Sequence, residues 1–219
     1  MKNFNKKDTK NTEILVITDR SGSMGTIAND VIGGYNRFLE EQKEVEGDAK
    51  VTFVQFDDHY EVVYEGKPLS AAPNLDNKTF VPRGMTALYD ALGKTLSTQK
   101  QRIEKEAWAD LVIVCVITDG QENASHEYTN ATVKPLIKDA EDRGWKFIYL
   151  GANQDSFAVT QNLGMTNTLS AAQANYTADA KGVGMAYASF SDATRALRSS
   201  GVSMQVFQKV TDDSSKETT

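Results

Sequence analysis

The chain has 219 residues, of which 40% are hydrophobic and 25% are charged. This length and composition fit one globular domain with a substantial core. The formal net charge of −6 argues against a protein whose main task is to bind nucleic acid or an anionic membrane surface, because both need clustered Lys and Arg.

The sequence predicts a cytoplasmic protein. The first residues, MKNFNKKDTKN, carry lysines without an apolar run after them, and apolar residues nowhere run long enough to span a bilayer. The single cysteine, Cys115, lies in an apolar run and has no disulfide partner. We expect flexible tails at residues 1–11 and 211–219, and one domain over residues 12–210.

Strand-like and helix-like segments alternate along the chain. Segments 13–18, 50–56, 111–118 and 146–151 are rich in β-branched or aromatic residues and apolar on both faces, as strands covered on both sides are. The segments between them have helical periodicity, and a long helical stretch from about 179 to 199 ends the pattern. This alternation predicts an α/β fold with a mostly parallel sheet and helices on both faces.

One stretch, FDDHYEVVYEG at 56–66, interrupts the alternation. It reads as a tight hairpin with its turn at residues 57–59, followed by an antiparallel strand. That strand returns to the opposite edge of the sheet, so the irregular segment 67–84 must carry the chain back to the carboxyl edge. Later in the chain, we expect a short helix that ends at Gly164 and a weak strand near 167–170.

Two strands end in the same four letters, VITD, at 16–19 and 116–119. In an open parallel sheet the binding crevice lies beyond the carboxyl ends of the strands. We therefore expect Asp19 and Asp119 to lie close together there. Ser21 and Ser23 follow at alternate positions of the same loop and can point the same way, and segment 67–84 brings Thr86 to the same edge.

The chemistry of these five side chains predicts a hard metal ion. All of them offer oxygen and none is His or Cys, which disfavours zinc and favours Mg²⁺, with Mn²⁺ or Ca²⁺ as alternatives. Two carboxylates and three neutral hydroxyls leave the ion incompletely neutralised and leave some of its positions to other ligands. A carboxylate of another protein can then complete the coordination.

Three segments carry a resemblance to a known family. DRSGS (19–23), GMTALYDAL (84–92) and VITDG (116–120) resemble, in the same order, the elements of the metal-ion-dependent adhesion site of von Willebrand factor type A domains. The resemblance covers about residues 12–200. It implies a three-layer, doubly wound, mostly parallel six-stranded sheet with one antiparallel strand.

The same resemblance implies roles for the five residues. Ser21, Ser23 and Thr86 would reach the ion directly, and Asp19 and Asp119 would act directly or through bound water. Because no signal peptide or disulfide pair is evident, the chain more closely resembles the stand-alone intracellular members of bacteria and their phages than extracellular adhesion domains.

Further polar residues follow strand ends at the same edge and form a candidate rim for partner contact. They are Asp57, Asp58, His59, Gln121, Glu122, Asn153 and Asp155. We expect a protein-binding module in which bound Mg²⁺ accepts an Asp or Glu side chain from a partner. We do not expect an enzyme, because no base, nucleophile or phosphate-binding arginine cluster accompanies the site.

Two alternatives stay open at this point. The first is a metal-assisted hydrolase acting on a phosphoester, with Asp57, His59 or Asp155 as the base. The second is a scaffold or assembly subunit in which the metal is structural.

Overall fold

The computed structural model describes residues 10–152, 156–166 and 173–200. The described strands are β1 Thr12–Asp19, β2 Ala49–Phe56, β3 Tyr60–Pro68, β4 Leu111–Thr118, β5 Lys146–Ala152 and β6 Gln173–Tyr176. The described helices are α1 Ala28–Lys43, α2 Leu88–Glu106, α3 Asn130–Asp142, α4 Ser156–Leu163 and α5 Ala180–Ser200. Two short 3-10 turns, Gly22–Ile27 and Leu69–Ala71, precede α1 and follow β3.

The described strands form one sheet in the order β3-β2-β1-β4-β5-β6. All neighbours pair in parallel except β3, which is antiparallel to β2. The predicted fold class, a mostly parallel sheet with one antiparallel strand, is confirmed. The strand predicted near 167–170 lies outside the described residues.

Helices cover both faces of the sheet because successive side chains of its strands point to opposite sides. Ile14 and Val16 of β1 pack on the face that α1 and α5 cover. Leu15 and Ile17 pack on the face that α2, α3 and α4 cover. The apolar residues of the strands and helices therefore form two hydrophobic cores, one on each face of the sheet.

The connections place a switch point between β1 and β4. The chain leaves β1 for α1 on one face and leaves β4 for α3 on the other face. Ligand sites of open α/β sheets lie beyond the carboxyl ends of such strands. This edge carries Asp19 and Asp119, the last residue of β1 and the residue that follows β4.

Two further properties bear on the sequence predictions. Cys115 is a free thiol that is fully buried in β4. Among the helices of the described segments, none is both long enough and apolar enough to cross a membrane.

Candidate metal centre

The carboxylate of Asp19 is fully buried at the end of β1. Its Oδ1 accepts a hydrogen bond from the backbone N–H of Ser21 at 2.6 Å, and its Oδ2 accepts one from the hydroxyl of Thr118 at 2.6 Å. Thr118 is the last residue of β4. The Asp19 carboxylate is thus held in a fixed orientation between the ends of the two central strands.

The two serines connect this loop to the loop after β4. The Ser23 hydroxyl donates to Oδ1 of Asp119 at 2.6 Å and lies 3.1 Å from the Ser21 hydroxyl. Ser21 is buried, Asp119 is half-buried and Ser23 is exposed. The oxygens of these side chains therefore run from the interior to the surface.

The hydroxyl of Thr86 completes the group, and Gly120 leaves room for it. A Cβ atom placed on Gly120 would lie 2.7 Å from Oγ1 of Thr86 and 3.6 Å from Oδ2 of Asp19. Both oxygens therefore border the position that a side chain at residue 120 would occupy. A small space lined by oxygen is what a hard cation needs.

Thr86 is held in place by Asn123, which was not among the predicted site residues. The Thr86 N–H donates to Oδ1 of Asn123 at 2.9 Å, and the Thr86 carbonyl accepts from the Asn123 N–H at 3.0 Å. Thr86 precedes α2, where backbone N–H groups have no partner within the helix. The start of a helix therefore indicates that a backbone N–H group such as that of Thr86 needs a hydrogen-bond acceptor. The sequence does not indicate which side chain provides that acceptor.

The loops that carry Ser21 and Thr86 also touch through two glycines. The Gly22 N–H donates to the carbonyl of Gly84 at 3.2 Å. Gly84 has φ +65°, a conformation that favours glycine, and a side chain at that position would collide with Asp58. Close approach of the two loops therefore depends on glycine at position 84.

The structure thus brings together the five predicted ligand residues, and their electrostatics fit a cation. Burial raises the pKa of Asp19 to about 6, against the hydrogen bonds from Thr118 and Ser21, and the charge of Asp119 adds to the rise. Burial also raises the pKa of Asp119, although the hydrogen bond from Ser23 opposes it. Among the described residues, no Lys or Arg donates to either carboxylate, so a divalent ion would supply the missing positive charge.

The raised pKa of Asp19 predicts that metal affinity depends on pH. The folded chain without metal holds this proton more tightly than the unfolded chain, where the pKa is near 3.8. The contribution of Asp19 to the stability of the metal-free chain therefore falls as the pH rises from 3.8 to about 6. A metal ion bound by Asp19 would have to displace the same proton, so we expect any affinity for Mg²⁺ to fall below pH 6 by about tenfold per pH unit.

Isothermal titration calorimetry with Mg²⁺ from about pH 5 to pH 8 measures this dependence. Above pH 6 the affinity should level off, because the carboxylate of Asp19 is then ionised without metal. An affinity that is constant over the whole range would contradict the expected proton competition.

Asp57 does not lie on the exposed rim where the sequence placed it. Its side chain is fully buried, and its Oδ2 accepts hydrogen bonds from Nε of Arg20 at 3.0 Å and Nε of Arg83 at 2.8 Å. Its Oδ1 accepts from the N–H of His59 at 2.6 Å. The hairpin was predicted correctly, but the direction of a side chain in a turn depends on partners that are distant in sequence.

The other predicted rim residues differ in their surroundings. Asp58, His59 and Gln121 are exposed. Both carboxylate oxygens of Glu122 are bound by its own loop and by α2, with Oε2 accepting from the N–H of Tyr89 at 2.8 Å and Oε1 from the N–H of Ser125 at 2.8 Å. Asn153 and Asp155 lie outside the described residues.

A second group of potential ligands lies beside the candidate centre. Asp57, Asp58 and His59 each bring one ligand atom to within 4.8 Å of the others. Burial by itself raises the pKa of Asp57, but hydrogen bonds from Arg83 and His59 and the charge of Arg20 outweigh it and lower the pKa. A metal ion bound here would compete with two guanidinium groups, so this group is a poorer cation site than the oxygens around Gly120.

Comparisons with known proteins bear on the fold. No protein-family model matches the sequence, and no curated protein matches it. Among solved structures, the chain is similar to the vWF domain of the type V pili tip protein Mfa5 from Porphyromonas gingivalis, with TM-score 0.60 and 11% identity over 90% of this chain and 99% of that one. It is also similar to the PilB minor pilin from Streptococcus sanguinis, with TM-score 0.62 and 11% identity over 86% of this chain and 62% of that one.

A third neighbour is proximal thread matrix protein 1 from the mussel byssus, described with a zinc-occupied metal-ion-dependent adhesion site. Its TM-score is 0.57, with 12% identity over 85% of this chain and 46% of that one. The chain therefore spans less than two thirds of PilB and less than half of the mussel protein. At these identities the similarity shows the fold alone, and that fold is the fold of von Willebrand factor type A domains.

Proposed function

We propose that this chain is a divalent-metal-dependent protein-binding module, in which a bound Mg²⁺ accepts an Asp or Glu side chain from a partner protein. The observation that carries the proposal is the convergence of five oxygen-bearing side chains from three loops at one edge of the sheet. They are Asp19, Ser21, Ser23, Thr86 and Asp119. The pilus proteins Mfa5 and PilB among the structural neighbours are in keeping with such a role.

The neutral and the charged side chains of the site would have different roles. Ser21, Ser23 and Thr86 would hold the ion through neutral hydroxyls, while Asp19 and Asp119 supply the negative charge. The bound ion supplies an electrophilic position for a carboxylate oxygen from outside. Because only two carboxylates serve the site, the ion would keep affinity for a third. Mg²⁺ suits an all-oxygen site, with Mn²⁺ or Ca²⁺ as alternatives.

The hydrolase alternative is less well supported. A hydrolase needs a base beside the metal-bound water, and Asp57 was one candidate. Arg20 and Arg83 both form ion pairs with the Asp57 carboxylate, and its pKa is lowered. A carboxylate with a lowered pKa is a weak base. The imidazole of His59 is 71% exposed, and its Nδ1 lies 3.4 Å from Asp57 and 3.5 Å from Asp58, as in a polar hairpin turn. The scaffold alternative requires a structural metal, whereas the ligand loops here are already joined by direct hydrogen bonds.

A selection from a library of displayed random peptides tests the proposal. Peptides are bound to the full chain in Mg²⁺ and released with a chelator, and the Asp19→Ala chain serves as the matched bait. We expect the released peptides to need one Asp or Glu, and to lose binding when that residue becomes Asn or Gln. Peptides that bind equally in chelator, or equally to the Asp19→Ala chain, would show that the site is not the binding surface.

A further inference from the structure

We propose that Asp57 is a positioning residue, which acts through Arg20 and Arg83 to hold two ligand loops of the metal centre at the spacing that the ion needs. The inference rests on the proposed function and deepens it. From the sequence, Asp57 was predicted to be a rim residue or, in the hydrolase alternative, the base. In the structure it faces inward and joins the two loops, while a separate set of oxygens lines the candidate centre.

Arg20 ties the first ligand loop to Asp57. It lies between Asp19 and Ser21, and its Nε donates to Oδ2 of Asp57 at 3.0 Å. Its backbone N–H donates to the carbonyl of Phe56, the last residue of β2, at 2.7 Å. Side chain and backbone of Arg20 therefore fasten this loop to the start of the β2–β3 hairpin.

Arg83 ties the second ligand loop to the same oxygen. It lies three residues before Thr86, and its Nε donates to Oδ2 of Asp57 at 2.8 Å. Its backbone N–H donates to the carbonyl of Arg20 at 2.8 Å, and the N–H of Ala87 donates to the carbonyl of Asp57 at 2.9 Å. The chain is thus anchored to Asp57 on both sides of Thr86.

The energetics favour positioning over stability as the purpose of this arrangement. Asp57 is fully buried and Arg20 is 5% exposed, so both charges are removed from water at considerable cost. Nη2 of Arg20 and Nε2 of the neighbouring Gln55 are buried without a hydrogen-bond partner among the described residues. A buried ion pair is by itself weak evidence of stabilisation, because the desolvation of both charges offsets much of their attraction. The same cluster does connect two of the three loops that carry the candidate ligands.

A specific consequence follows for the ion. If the loops are held at the correct spacing before the ion arrives, the ion does not have to order them, and its affinity is higher. Outer groups that orient metal ligands are commonly worth about 10–100-fold in metal affinity. Loosening the connection should therefore reduce the free energy of metal binding by more than it reduces the free energy of unfolding.

The Arg83→Ala variant of the full chain is the sharpest test. The Arg83 side chain is 57% exposed, so its removal leaves no buried cavity. We expect the affinity for Mn²⁺, measured by calorimetry, to fall about tenfold. The unfolding temperature without metal should change by no more than about 2 °C. Arg83→Lys should recover part of the affinity, and Asp57→Asn should lose more of it.

The matched control is Arg37→Ala. Arg37 is 77% exposed on α1 and pairs with Glu41 of its own helix, so Mn²⁺ affinity should not change. Unchanged affinity in Arg83→Ala overturns the inference and leaves the proposed function intact. A loss of metal-free stability in Asp57→Asn with unchanged affinity also overturns it. If the wild-type chain binds no Mn²⁺, both the inference and the proposed function are wrong.

Discussion

Replacing Asp19 with Asn is expected to abolish divalent-metal binding while leaving the metal-free fold at least as stable as the wild type. Asn keeps the shape of the side chain but removes the charge that the ion needs. Loss of an outer group alone commonly costs about 10–100-fold, and Asp19 supplies one of the two negative charges of the site, so we expect Mg²⁺ and Mn²⁺ affinity to fall by more than about 100-fold.

The stability of the Asp19→Asn variant follows from the raised pKa of the buried acid. A shift from 3.8 to about 6 means that ionised Asp19 destabilises the metal-free fold by on the order of 3 kcal/mol. Asn avoids that cost. The amide of Asn can donate to the Thr118 hydroxyl. That hydroxyl can in turn donate to the carbonyl of Gly120, which lies 3.1 Å from it.

Thermal unfolding in chelator and calorimetry with Mn²⁺ together measure this effect. Asp142→Asn is the matched control, because Asp142 is exposed on α3 and pairs only with Lys138 among the described residues. The control should bind metal as the wild type does. A lower metal-free unfolding temperature for Asp19→Asn would show that the carboxylate supports the fold and is not a cost of the site.

Replacing Gly120 with Ala is expected to block the centre while every ligand residue stays present. The added methyl group would lie 2.7 Å from Oγ1 of Thr86, closer than side-chain carbons are found, and 3.6 Å from Oδ2 of Asp19. It would either fill the space between these oxygens or push the Thr86 hydroxyl away. We expect metal affinity to fall by at least about tenfold, which is the lower end of what the loss of an outer group that orients a metal ligand costs.

Gly33→Ala is the control for the Gly120 experiment. Gly33 lies within α1, and a methyl group there would meet no atom within 4 Å. This variant should gain about 0.5–1 kcal/mol of stability, because Ala favours the helix over Gly, and should bind metal normally. Full metal affinity in Gly120→Ala would mean that the ion lies elsewhere, with the hairpin group around His59 as the next candidate.

The fold was largely predictable from the sequence because the signals for it are local. Alternation of apolar strands with amphipathic helices indicates a parallel sheet covered on both faces, and the observed sheet agrees. The hairpin at 57–59 was readable for the same reason, since a polar turn between two short strands indicates an antiparallel pair. The candidate ligands were readable because sheet topology decides which strand ends share an edge.

The supporting residues were not readable in the same way. Asn123 holds Thr86, and Asp57 joins Arg20 to Arg83. Each is a polar residue in a loop, and a sequence of polar loop residues does not say which distant group each side chain binds. Their partners lie 26 to 37 positions away along the chain.

The sequence by itself determined the layers of the fold and the chemical identity of the candidate ligands, because periodicity and residue type are properties of the chain. Only the tertiary structure decided how these oxygens are held together. It buried the Asp19 carboxylate, opened a space at Gly120 and turned Asp57 toward two arginines. Burial, close approach and charge pairing depend on distances between loops, and those distances exist only after the sheet has formed.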